Sequence, residues 1–118
     1  MDWGISLSAE NVSADGLELT ITQSGGAPTG NLQFGSPFYL MVRHGDMWKM
    51  VPVIIDNGAW TMEARILPME SSVTFAVDWA WLYGTLPEGK YRLVKEIDDF
   101  RGTGNFDTQA YYVEFEIE

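Results

Sequence analysis

The side chains able to do chemistry in this chain are few and unevenly placed. His44 is its sole histidine and sits in a His44-Gly45-Asp46 turn with no serine motif beside it. There is no cysteine, which excludes disulfides, thiolate metal sites and a cysteine nucleophile. Zinc would have to be held mostly by carboxylates, which is not its usual ligand set. A nucleophile, base and orienting acid can come from distant parts of a chain, but nothing in the spacing marks such a group. The expectation is a protein that is not an enzyme and needs no cofactor.

Carboxylates are plentiful. Asp98, Asp99 and Asp107 flank the loop Phe100-Arg101-Gly102-Thr103-Gly104-Asn105-Phe106, where Asn105 offers a further oxygen. Hard oxygen ligands suit calcium, so these three aspartates are calcium candidates, although the spacing is not that of an EF-hand loop. Arg101 lies in their midst, and a guanidinium there is expected to pair with Asp99 or Asp107 and pin a hairpin. Three readings stay open: a structural Arg-Asp latch, a partner-binding loop using Phe100, Arg101, Phe106 and Asp107, and a calcium site.

Five tryptophans raise a different chemistry, since flat exposed rings stack on sugar faces. Trp79 continues the alternation of Phe75 and Val77 and is expected in the core. Trp60 continues a Met62, Ala64, Ile66 face and is placed there too. Trp81 is expected to plug one end of the fold. Trp3, near the terminus, and Trp48, after a turn, are the freest to be exposed and are the binding candidates among the five. Core packing is the more economical use of the other three, because aromatics dominate burial in small domains.

These residues must be positioned by strands. Leu17, Leu19 and Ile21 alternate with Glu18, Thr20 and Thr22, and the same period of two recurs at 38–43, 60–67, 73–80, 91–94 and 111–118. Runs near 3–10 and 47–54 bring the count to about eight. Turn formers separate them, among them Asp15-Gly16, Asn57-Gly58 and Pro87-Glu88-Gly89. The Gly- and Pro-rich stretch 22–37 is expected to cross between sheets or follow an edge, with a short strand at Leu32 to Phe34. One run, Trp79-Ala80-Trp81-Leu82-Tyr83-Gly84, does not alternate; a single helical turn ended by Gly84 accounts for it. Many short strands with regular turns predict an all-β antiparallel sandwich.

Length and charge bound the rest. A chain of 118 residues suffices for one domain, expected to span 1–118, with 46% hydrophobic residues to build its core. Seventeen acidic against seven basic side chains give a net charge of -10, which opposes nucleic-acid binding and adhesion to anionic lipid. No apolar run is long enough to span a membrane, so direct membrane insertion is not expected. The start, MDWGISLSAENVS, lacks the basic and apolar regions of a signal peptide. Six of the acids, Asp98, Asp99, Asp107, Glu114, Glu116 and Glu118, fall in the last 21 residues, with Arg101 as the basic residue among them. Lys90, Arg92 and Lys95 are expected to interleave with this acidic face.

The continuous block WAWLYGTLPEGKYRLVKEIDDFRGTGNFDTQAYYVEFEIE, residues 79–118, resembles a family of bacterial immunoglobulin-like domains found mainly in Gram-positive, notably gut clostridial, bacteria. The likeness extends upstream through Gly16 to Gly26 and Phe38 to Pro52. It implies an immunoglobulin-like antiparallel β-sandwich of seven to nine strands with one helical turn near 79–84. In such sandwiches a Tyr after a turn packs its ring inside and bonds its hydroxyl back to the connection, and Tyr91 is the residue so placed. With Trp79, Trp81 and Arg101 it makes up the expected structural set.

The resemblance further implies a non-enzymatic, extracytoplasmic module of a secreted, lipid-anchored or otherwise surface-attached protein, acting as a spacer or interaction domain. Its partner would be an unknown protein or a cell-wall glycan, and its state a monomer or weak dimer. Alternatives are a carbohydrate-binding module with exposed aromatics and a calcium-stabilised adhesin domain.

Overall fold

The computed structural model describes residues 2–54 and 64–118. Alternating apolar residues form nine strands among them: β1 (Ile5–Glu10), β2 (Gly16–Gln23), β3 (Asn31–Phe34), β4 (Tyr39–His44), β5 (Met47–Met50), β6 (Arg65–Leu67), β7 (Ser72–Asp78), β8 (Gly89–Gly102) and β9 (Asn105–Ile117). One helical turn, α1 (Ala80–Tyr83), lies between β7 and β8. It ends at Gly84, whose φ of 77° with extended ψ lies in a region open essentially to glycine and whose N–H bonds to the Ala80 carbonyl.

The strands form two antiparallel sheets. The smaller has the order β1-β2-β7, and the larger is organised on β8. Along one edge β8 pairs with β9 from Gly89↔Ile117 to Gly102↔Asn105. Along the other it pairs first with β4, at residues 91–94, and then with β3, at 98–100. β5 and β6 extend those two short strands outward. The loop Gly35–Phe38 therefore breaks what would otherwise be one long strand beside β8.

The core lies between the sheets. Leu17, Leu19 and Ile21 from one sheet meet Leu40, Tyr91, Leu93 and Ile97 from the other, all buried. Two aromatic stacks span the gap. Trp79, at the end of β7, stacks on Phe115 at 5.4 Å between centroids, and Phe115 on Tyr91 at 5.7 Å. Phe34 of β3 stacks on Phe75 of β7 at 5.6 Å. Offset stacks of this kind add roughly 0.5–1.5 kcal/mol each beyond the area they bury.

The stretch 22–37 does cross from one sheet to the other, but the strand it contains is internal, with β8 on one side and β6 on the other. The β6 phase is the reverse of that expected. Leu67 opposes Leu32 and is buried, whereas Ile66 opposes Gln33 on the outer face and is 59% exposed. Register with β3 decides this, since a one-residue slip exchanges the two faces of a strand. Trp60, Met62 and the Asn57-Gly58 turn lie outside the described residues.

Candidate functional site

The acidic loop is the β8–β9 hairpin end. Alternation along β8 sends the two neighbouring aspartates to opposite faces. Asp98 points outward, where Thr108 Oγ1 donates to it at 2.6 Å. Asp99 points inward and is buried. Thr29 N and Oγ1 donate to one of its oxygens at 2.8 and 3.0 Å, and Gly30 N donates to the other at 2.6 Å. Burial pushes the Asp99 carboxyl upward, but these three donors and the nearby guanidinium more than offset it and hold the group below the usual carboxylate range.

Arg101 falls at a bulge, skipped between the pairs Phe100↔Phe106 and Gly102↔Asn105. A bulge re-aims its side chain. The guanidinium reaches Asp107 at 2.9 Å and Asp99 at 3.4 Å, and donates to Asn105 Oδ1 and Thr29 Oγ1. It thus ties the hairpin to the β2–β3 crossing. Asp98 lies on the other face from this cluster, and among the described residues no three carboxylates or histidines converge as metal ligands would. Phe100 and Phe106 meet on the outer face at 6.3 Å.

Tyr91 stacks in the core and its hydroxyl donates to the Pro87 carbonyl at 2.8 Å, bracing the turn into β8. Burial raises its pKa, and that of Tyr83, whose hydroxyl accepts from Leu40 N. Trp79 is wholly buried and donates from Nε1 to the Ala14 carbonyl, joining the helical turn to the β1–β2 turn.

Two tryptophans differ from expectation. Trp81, expected to plug an end, is 42% exposed and donates its Nε1 to the Asp78 carbonyl; in a single turn only one side faces inward, and Leu82 and Tyr83 occupy it. Trp3, a binding candidate as one of the two freest to be exposed, is 2% exposed. Its backbone packs closely against Gly26, its carbonyl accepts from the buried Gln23 side chain, and its ring meets Tyr111. Gln23 also donates to the Gly25 carbonyl and accepts from Glu70 N, so one amide stitches three segments.

Trp48 is half-buried on the outer face of the larger sheet. There the Arg92 guanidinium lies 4.1 Å from the Trp48 ring and 4.3 Å from the Tyr112 ring, and bonds Glu114 at 2.9 Å. Arg92 does interleave with the acidic strand, and Lys90 is in register with Glu116.

Lys95 does not interleave. It follows Tyr91 and Leu93 inward and is 2% exposed. Its ammonium donates to the carbonyls of Gly35 and Pro37, in the loop that separates β3 from β4. The stacked rings of Phe34 and Phe75 lie 5.4 and 5.9 Å away, and Arg65 sits over the same two rings. Burial, reinforced by the Arg65 charge, lowers the Lys95 pKa from 10.5 to about 8. Its signal in the sequence was parity: residues 91, 93, 95, 97 and 99 share one face.

Compared with known proteins, residues 2–116 match a family model described as a bacterial Ig-like domain. Neither a curated protein nor a solved structure matches the chain.

Proposed function

Since the chain belongs to the bacterial Ig-like domain family, matched over residues 2–116, we propose that it is a non-enzymatic, extracytoplasmic module of a bacterial surface or secreted protein, serving as a spacer or a protein-interaction domain. The observation that supports this most directly is the use made of the buried polar groups. Gln23 and Asp99 bond the backbone of the β2–β3 crossing and Lys95 bonds that of the β3–β4 loop, so these groups hold the sandwich together. Fold alone does not dictate function, and the reading rests on the family match together with this bracing.

The test is labelling of intact bacteria that produce the complete gene product, using an antibody raised against this domain. Binding to unlysed cells, or recovery of the domain from the medium, is the expected result. Signal that emerges only after lysis overturns the extracytoplasmic placement.

A further inference from the structure

The two outer faces of the sandwich differ in chemistry. The smaller sheet presents Ser6, Ser8, Thr20, Thr22, Ser72 and Thr74, with Thr20 bonded to Thr74 and Thr22 to Ser72 across the strands. That is a solvated face. The larger sheet presents Tyr39, Met41, Trp48, Met50, Val94 and Tyr112. Tyr112 is 54% and Met50 55% exposed, while Val94 is buried although it points outward. Large aromatics, Met and Arg are the residues enriched where proteins bind one another, and the stacked Trp48, Arg92 and Tyr112 place three such groups together.

Charge decides what fits this face. Glu114 is paired with Arg92. Glu96 and Asp98, by contrast, form no ion pair among the described residues. Both line a cleft of about 450 Å³ that opens where the Gly35–Phe38 loop parts β3 from β4, with Phe38, Tyr39 and Val94 as its apolar walls. Two uncompensated carboxylates beside aromatic rings suit an ammonium or guanidinium on an aliphatic stem. The net charge of -10 favours approach of a basic partner.

We propose that the outer face of the six-stranded sheet docks a partner protein through a basic segment, seating a lysine or arginine side chain in the cleft of Tyr39, Glu96 and Asp98. This deepens the interaction-domain reading and rests on it. The neighbouring Tyr112 and Trp48 cover the apolar residues that flank the basic one.

The test uses the full chain, labelled with nitrogen-15, and an eight-residue peptide alternating lysine and tyrosine, at physiological salt. Saturable binding with amide shifts at Tyr39, Val94 and Glu96 is expected. The double variant Glu96→Gln with Asp98→Asn should weaken it by about tenfold or more. A second double variant, Glu10→Gln with Glu18→Gln, removes the same charge from the opposite face and should leave the affinity within about twofold. Thermal melting checks that both remain folded. Equal weakening by the two variants, shifts centred on β1 and β2, or no saturable binding would overturn the proposal. The antibody labelling above is independent of all three results, so a failed docking face and a failed extracytoplasmic placement are told apart.

Discussion

Replacing Lys95 by methionine tests the energetic argument most sharply, because the amine is a charge held inside the core without a carboxylate. Its pKa is about 8 in the folded chain against an ordinary 10.5, so between these values the unfolded chain binds the proton more tightly. Stability must then rise as pH rises through that window. Below pH 8 the folded chain carries the full cost of a desolvated charge, and above 10.5 neither state is charged and the cost is gone. With about 1.36 kcal/mol for each pH decade of difference, the gain from pH 8 to pH 10 is about 2 kcal/mol. For a domain of this size that is a rise in melting temperature of roughly 8 °C. The window closes near pH 10, because Tyr83, Tyr91 and Tyr111 have folded values raised above 10.0 and reverse the trend once the unfolded tyrosines ionise.

The assay is guanidinium or thermal unfolding of both proteins at intervals from pH 7.5 to 9.8. Lys95→Met should abolish the slope. At neutral pH it should lie within about 1 kcal/mol of the parent, since losing a buried charge offsets leaving the Gly35 and Pro37 carbonyls without their donor. A parent whose stability is flat across the window, or a variant with the same slope, refutes the reasoning.

Three further outcomes follow from the bracing described above. Tyr91→Phe keeps the stacked ring and loses only the bond to Pro87, so chemical denaturation should show a loss of about 1 kcal/mol. Asp99→Asn turns an amide N–H₂ toward backbone donors and should cost about 2 kcal/mol. The carboxylate contributes fully above its ordinary 3.8 and its contribution fades as pH falls through its lower folded value, so the variant should also have a flatter acid limb in a pH-dependent melt. Gly25 and Gly26 both have φ near +70°, but a Cβ at Gly25 meets open space while one at Gly26 comes within 2.4 Å of Gly4 N. Gly25→Ala should cost about 1 kcal/mol in a melt and Gly26→Ala at least twice that.

Strand periodicity carried most of the fold, because each sheet has one wet face and the alternation is clean wherever pairing is regular. It failed where pairing, not pattern, chose the face. In β6 the residues Ile66 and Leu67 are both apolar, and only the contact of Leu67 with Leu32 decides which goes inside. Trp3 reads as a loose terminal residue until Gln23 and the Gly25-Gly26 crossing close over it, a long-range event with no local trace. The phase of Lys95 matches that of Tyr91 and Leu93, but a lysine reads as surface unless the phase is followed to its end. The grouping of Arg101 with Asp99 and Asp107 was visible in the spacing, whereas the bulge that aims Arg101, and the part played by Thr29 some 70 residues earlier, were not.

The dependence of the larger sheet on β8 has a consequence for how the protein comes into being. β3 and β4 pair with β8 and with the short strands β6 and β5, so until residues 89–102 are made neither has its central partner. β9 has no hydrogen-bonded strand but β8 among the described residues. A chain growing from its N-terminus can therefore pair β1-β2-β7, β3 with β6 and β4 with β5, but the larger sheet is joined only once β8 is made. Closure of the sandwich thus waits on its last two strands, β8 and β9.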